Sequence, residues 1–508
     1  MLAKTRSCAV VGLAGQVVEV EVDISPGLPA FHIVGLPDTA VQESRERVRA
    51  AIRNSGTEFP MRRITASLAP ANLKKTGPAY DLPIAVAILL STGQVPERIE
   101  NSLLLGELAL DGALRPTNGI LPMVAVGRAS GFKTVYVPAE NAHEASLVDG
   151  MTVVPVKSLT DLVAHFRMEQ ELREYVPADD YVRPTNGREH RQPDLQDVRG
   201  QEHAKRALEV AAAGGHNLLM MGPPGSGKTL LARCLPSVLP PMTPEESLQV
   251  TTIYSVAGLL PPGSPLIEDR PFRSPHYTVS NAGLVGGGMV PRPGEITLAH
   301  RGVLFLDELP EFGHASLEVL RQPLEDKVVT ISRAQGTVTF PANFMLVGAM
   351  NPCPCGYHGD SAHSCSCSLP LVSRYQRRIS GPLMDRIDIF VDVPRVEYEK
   401  LTGPPEAENS ATVRQRIAAA RQLQMKRFGD TGPIANAEMG PVEVWDYCQV
   451  EDAAKSLLQS AMNQLSLSAR GFHRVLKVAR TIADLAGSET ICTPHLAEAL
   501  QYRPRSVA

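Results

Sequence analysis

A chain of 508 residues, 43% hydrophobic and 20% charged, is too long for one hydrophobic core and has the composition of a globular protein of two to four domains. Its net charge of −4 excludes a surface that coats nucleic acid all over and confines any such binding to a groove or pore. The longest apolar runs, such as "LPIAVAILL", are too short to cross a bilayer, and the N-terminus does not read as a secretion signal, so no membrane partner and a cytoplasmic location with reduced thiols are expected.

Residues 1–168 read as one α/β unit. "VVEVEVDI" alternates apolar and acidic residues at period two, which predicts a half-buried strand over Val18–Ile24. A helix follows at "DTAVQESRERVRAAIRNSG", and "RITASLAP" and "TVYVP" are further strands. Residues 169–196, with "EYVPADDYVRPTNGREHRQPD", are polar and proline-rich and read as a linker.

Residues 197–395 alternate strand and helix, the pattern of a parallel sheet covered by helices. After the helix "QEHAKRALEVAAAG" and the buried strand "HNLLMMG" comes "GPPGSGKT". Here Gly222, Pro223, Pro224, Gly225, Ser226 and Gly227 form a loop whose N–H groups turn inward around phosphate oxygens. Lys228 reaches the β- and γ-phosphates of ATP, and the Thr229 hydroxyl ligates Mg²⁺. In "RGVLFLDELPEF" an apolar strand ends in two carboxylates: Asp307 to hold Mg²⁺ through water, Glu308 to activate the attacking water. "NAGLVGGGMVPRPGEI" reads as a mobile loop, and "KVVTISRAQGTVTFPA" as a hairpin with Arg333 near its tip. Asn351, at the end of the strand "FMLVGAM", is placed to sense the γ-phosphate.

Cys353, Cys355, Cys365 and Cys367 form two C-x-C pairs with nine residues between. Four thiolates on one loop can close a tetrahedron around Zn²⁺, with a structural role. The spacing is tighter than the usual C-x₂-C; His358 or His363 as a substitute ligand, unliganded thiols and an iron–sulfur cluster stay open. Arg386 precedes an apolar strand and Arg470 opens an amphipathic helix; each reads either as a transition-state arginine or as a surface residue. Residues 396–508 are helical. In "SARGFHRVLKVARTIADLAG", Phe472, Val475, Leu476, Ala479, Ile482 and Ala483 share a face, and "TPHLAEAL" starts a helix with Thr493 as N-cap and Pro494 in its first turn.

Together, Gly222–Thr229, Asp307–Glu308, Asn351, "GPLMDRIDIF" and "SARGFHRVLKVARTIADL" resemble the magnesium-chelatase-like branch of AAA+ ATPases. "PGEITLAHRGVLFLDELPEF" and "MNPCPCGY" resemble the ComM (YifB) family within it. The resemblance implies a P-loop core with a C-terminal helical lid, a homohexameric ring, and ATP-driven branch migration of DNA during natural transformation. Its partners would be single-stranded and branched DNA and recombination proteins. It also implies Arg386 as a finger acting on the neighbouring subunit, with Arg374, Arg377 and Arg378 as rivals, Arg470 as the lid sensor, and Arg333 as a pore contact to DNA phosphate.

Residues 1–168 resemble the proteolytic domain of Lon proteases through "GELALDGALRPTNGILPMVAVGRASGFKTVYVPAEN", which implies an α+β, ribosomal S5 domain 2-like fold. Ala79 and Leu121 stand where the Lon serine and lysine fall, so no proteolysis is expected. A chelatase-type motor remodelling a protein partner is the alternative function. Against it stands the expectation that likeness to chelatase motor subunits stops at the ATPase part.

Overall fold

The computed structural model describes residues 2–503 apart from 98, 100, 178–192, 262–265, 289–290, 334–335, 361, 397–407, 430–431 and 465–466. At the N-terminus a four-stranded sheet runs in the order Leu2–Val11, Ala14–Ser25, Arg63–Ala69, Ala30–Val34, antiparallel except for its last pair. Val18, Val20 and Val22 point into the core, while Glu19 and Glu21 pair across the outer face with Lys4 (3.0 and 2.6 Å). Period-two alternation produces this division because successive side chains leave a strand on opposite faces. Helices Thr39–Asn54 and Asp81–Ser91 cover the inner side, the first capped by Asp38, whose Oδ1 accepts from the Val41 N–H at 2.8 Å. A parallel three-stranded sheet, Ser102–Leu104, Thr134–Pro138, Thr152–Val156, completes this half.

The middle of the expected linker, 178–192, lies outside the described residues. Its end does not behave as a linker. Leu195 is buried, and its N–H donates to the Ser410 hydroxyl at 2.9 Å, so the chain is already packed on the second half there.

That half is built on five parallel strands in the order Phe272–Arg273, Val303–Leu306, Met345–Met350, Leu218–Met221, Ile389–Asp392. The central strands are apolar throughout, as a sheet covered on both faces requires. The phosphate-loop strand Leu218–Met221 lies between the strands that end next to Asn351 and begin after Arg386. Helices Glu202–Gly214 and Lys228–Val238 cover one face, and helices Ser410–Phe428 and Ala469–Leu485 pack onto them, so core and lid share one apolar cluster. Helix Thr493–Gln501 starts one residue earlier than expected. Cys492, not Thr493, is the cap position, with its N–H donating to His495 Nδ1 at 3.2 Å, and Thr493 and Pro494 fill the first two helical positions.

The glycine-rich stretch read as a mobile loop is folded where it is described. It forms a helix Asn281–Val285, a two-residue strand pair of Gly286–Gly287 with Arg292–Pro293, and a helical turn Glu295–Leu298. Leu284 and Ile296 are fully buried and anchor it to the sheet, an apolar signal that the glycines obscured. The hairpin Val328–Arg333/Gly336–Pro341 is in register Arg333↔Gly336, with Val329, Ile331 and Phe340 buried at its base and Arg333 exposed.

Among the described residues the two halves touch through helix Pro244–Ala257 and through the turn at Gly12. Helix Pro244–Ala257 lies against helix Ile120–Ala129, where Ser255 donates to the buried Glu144 at 2.5 Å and accepts from the Gly119 N–H at 3.0 Å. The turn at Gly12 sits on the hairpin so closely that a Cβ there would lie 2.7 Å from Val338 Cγ1.

Candidate functional site

At the C-terminal edge of the parallel sheet a cleft of about 400 Å³ is lined by residues 224–230, Asp307, Glu308 and Asn351. Gly225 and Gly227 adopt φ +76° and +94°, a region open to glycine, and these turns let the loop curl so that helix Lys228–Val238 begins inside the cleft. Lys228 is 8% exposed, and its ammonium donates to the carbonyls of Gly222 (2.8 Å) and Pro223 (2.9 Å), with Asn351 Oδ1 at 3.4 Å. Burial holds its pKa below the ordinary lysine value, while the Asp307 charge opposes that shift.

Asp307 stands across from the helix start. Its Oδ2 accepts from the Thr229 hydroxyl at 2.7 Å and its Oδ1 from the Glu308 N–H at 3.0 Å. A hydroxyl and a carboxylate side by side are the hard oxygen donors that Mg²⁺ takes while keeping several waters. Glu308 is exposed at φ +52°, a conformation that costs a non-glycine residue on the order of 1 kcal/mol and collects at functional sites. Asn351 follows strand Met345–Met350 directly. The structure thus brings Lys228, Thr229, Asp307, Glu308 and Asn351 into one cleft.

The cysteine loop leans on the same cleft. The ligand atoms of Cys353, Cys355, Cys365 and Cys367 lie within 4.8 Å of one another, with Sγ separations of 3.3 Å (353–355), 3.7 Å (353–365) and 3.6 Å (355–365). A tetrahedral site with Zn–S bonds of about 2.3 Å needs sulfurs roughly 3.8 Å apart, so the thiols fit zinc. The Tyr357 N–H and the Cys353 thiol pull the Cys355 thiol down to about 5, while burial and the neighbouring sulfurs push those of Cys365 and Cys367 up, so the crowded thiols do not all ionise without a cation among them. His363 instead stacks on Tyr357 (centroids 5.1 Å apart), and neither it nor His358 belongs to the cluster. Gly356 packs on the phosphate loop: a Cβ there would meet Pro224 Cγ and Cδ at 2.6 Å. Arg395 lies over the Tyr357 ring and pairs with Asp360 at 3.0 Å, tying the far side of the loop to the end of the core.

Arg386 and Arg470 are not in this cleft. Arg386 is buried and pairs with Glu325 at 2.5 Å; Arg470, on the first turn of helix Ala469–Leu485, is 3.9 Å from the same carboxylate. The lid packs with that turn toward Glu325, and Arg470 is not among the residues that line the cleft of its own chain. Arg374, Arg377 and Arg378 line a separate cleft, with Arg378 paired to Glu311 at 2.8 Å. Arg333 lies apart from the nucleotide cleft, on the hairpin. Glu325 escaped the reading of the sequence, because nothing local distinguishes it from other helix-surface glutamates.

Ala79 is buried in the turn Pro78–Tyr80, and the Leu121 N–H donates to Glu144 at 2.9 Å, so the two positions present no nucleophile and no base.

Comparison with known families matches three profiles: magnesium chelatase, subunit ChlI, over residues 194–401; subunit ChlI of Mg-chelatase over 20–141; and the ChlI C-terminal part over 407–503. The match over 20–141 overturns the expectation that likeness to chelatase subunits stops at the ATPase part. An uncharacterized protein of Mycobacterium tuberculosis is 45% identical over 504 residues, covering 99% of this chain and 98% of that protein. The competence protein ComM of Haemophilus influenzae is 42% identical over 510 residues, covering 99% and 97%. Lon protease 2 of Bacillus subtilis is 28% identical over 206 residues, 35% of each chain. Among the described residues no helix is long and apolar enough to cross a membrane.

Proposed function

The chain belongs to the ComM family of magnesium-chelatase-like AAA+ proteins, with a Lon-like N-terminal region, and from that premise we propose that it is an ATP-driven DNA motor. Working as a homohexameric ring, it promotes branch migration during recombination of incoming DNA. The observation that carries the reading is a cleft gathering Lys228, Thr229, Asp307, Glu308 and Asn351 on a sheet whose apolar cluster also anchors the hairpin that bears the exposed Arg333. The relative whose name speaks of competence supports DNA as the substrate.

The residues divide the work. The N–H groups of the phosphate loop and the positive end of helix Lys228–Val238 bind the polyphosphate. Lys228 leaves the loop carbonyls for the β- and γ-phosphates, a short swing on a flexible stem. Mg²⁺ bound between Thr229 and Asp307 would neutralise charge developing on the transferred phosphoryl group. Glu308 orients the attacking water and takes its proton, while Asn351 fixes the γ-phosphate end. Arg386 and Arg470 act on the nucleotide of a neighbouring subunit, because neither faces its own cleft. Arg333 contacts DNA phosphate, a charge interaction without sequence information. Zinc on the four cysteines would hold the loop between Asn351 and Arg386 in shape, replacing burial that this loop lacks. The Lon-like region serves as scaffold, docked through Glu144 and Ser255.

The ChlI profile over residues 20–141 favours the second reading, a chelatase-type motor remodelling a protein partner. A panel of four-way junctions, forks and single strands, with purified protein and ATP, separates the two. The DNA reading predicts ATP-dependent movement of the branch point by wild type and none by Lys228→Ala. Wild-type protein that hydrolyses ATP but leaves every substrate in place would favour the chelatase-type reading.

A further inference from the structure

Glu325 sits on the last turn of helix Arg321–Asp326, immediately before the hairpin strand Val328–Arg333. Its carboxylate is the meeting point of two arginines from different parts of the chain. Arg386 Nη2 lies at 2.5 Å, approaching from the core; Arg470 Nη1 lies at 3.9 Å, approaching from the lid. Arg386 is 7% exposed and donates from Nη1 to the Pro382 carbonyl at 2.6 Å, while its Nε is buried without an acceptor. Arg470 is 65% exposed, so the same cluster has a face open to solvent. Arg474, one turn further along the lid helix, is engaged by Asp388 at 3.5 Å and feels the positive charges of both Arg386 and Arg470.

Two guanidinium groups held at one carboxylate, Arg386 from the buried side and Arg470 on the solvent side, place charge-assisted donors of the kind that bind a multiply charged oxyanion at one spot on the surface. A buried guanidinium is costly without a counter-charge, and two cations at this range repel. The half-exposed Glu325 supplies that counter-charge.

We propose that Glu325 is the positioning residue of a two-arginine phosphate receptor, aiming Arg386 and Arg470 at one point where they engage the γ-phosphate of nucleotide held by a second copy of this chain. This rests on the reading above that the two arginines act across a subunit boundary. Glu325 touches no reacting atom; it acts through the arginines. Glutamine keeps its shape without the charge, and aspartate keeps the charge on a shorter stem.

The test uses the full chain, with ATP turnover for rate and a fluorescent ATP analogue for affinity. Glu325→Gln is expected to lower kcat roughly ten- to hundred-fold, the scale of a misplaced catalytic group, while the Kd for the analogue stays within about two-fold of wild type. Glu325→Asp recovers part of the loss, and Glu325→Gln adds nothing to Arg386→Ala. Mixing Glu325→Gln with Lys228→Ala should give more turnover than the two proteins assayed apart, because an intact arginine pair then faces an intact phosphate loop. Wild-type kcat in Glu325→Gln, or a loss additive with Arg386→Ala, would overturn the assignment, as would a fall in analogue affinity parallel to the fall in rate. Arg386→Ala mixed with Lys228→Ala identifies which idea failed. If that mixture complements while Glu325→Gln behaves as wild type, only the role of Glu325 falls. If it does not complement, the reading of the arginines falls and the receptor with it.

Discussion

His300 is 4% exposed and joins three elements: its Nε2 meets Gln249 Oε1 at 3.2 Å, and its Nδ1 accepts from the Asn343 N–H at 3.1 Å. Burial, helped by the neighbouring Arg301 charge, pushes its pKa down to about 3, so the ring stays neutral in the fold. In the unfolded chain it takes a proton near pH 6.5. Between those values the unfolded state binds more protons, so stability is full above pH 6.5 and declines as pH falls, by about 1.4 kcal/mol per pH unit from this residue. On going from pH 7 to 5.5, wild type should lose about 1.4 kcal/mol more than His300→Gln in denaturant unfolding. Equal losses would show that the ring is not held neutral. Residues of this kind are illegible in sequence, since their partners lie far along the chain. Lys228, Thr229 and Asp307 were legible for the opposite reason: a loop-then-helix spacing and an apolar strand ending in carboxylates are local patterns whose chemistry requires those residue types. Glu325 carries no such pattern, and only the fold gathers Arg386 and Arg470 around it.

The cysteine loop couples two jobs at the scale of an element. Its Gly356 backbone presses on Pro224 of the phosphate loop, and its first cysteine lies two residues after Asn351. Any reshaping of the loop therefore moves groups that bind phosphate. Metal analysis of purified protein should find one zinc per chain. The double substitution Cys353→Ser, Cys365→Ser should lose it and weaken ATP-analogue binding at least roughly ten-fold, about 1.4 kcal/mol. Metal-free wild-type protein with full turnover would remove zinc from the account. Two C-x-C pairs made the cluster visible in sequence, but its seat against the phosphate loop was not, because close packing at a glycine leaves no spacing signal. The glycine-rich insert was less legible. Its composition suggested mobility, whereas Leu284 and Ile296 tie its described parts into the sheet cluster. The hairpin was readable, since β-branched arms around a polar, glycine-containing turn have few alternatives.

At the scale of the whole molecule, the alternation of strands and helices foretold a parallel sheet and the helical periods after it a helical C-terminal part, whereas the order of the strands came from the fold alone. The contact between the halves was also hidden: Glu144 looks like any helix-surface glutamate until Ser255, the Leu121 N–H and Asn141 close around it. Through the turn at Gly12, the N-terminal half also touches the hairpin that carries Arg333, so scaffold, hairpin and nucleotide sheet form a connected body. On the proposed DNA reading, ATP cleavage in the cleft and nucleic acid at the hairpin belong to one cycle. The most direct measurement is the ATP turnover of purified full-length protein titrated with forked DNA, for wild type and Arg333→Ala. DNA is expected to raise wild-type turnover several-fold, the rise weakening steeply with added salt, and Arg333→Ala to need more DNA for the same rise. Wild-type turnover that stays flat across the whole DNA titration would contradict it.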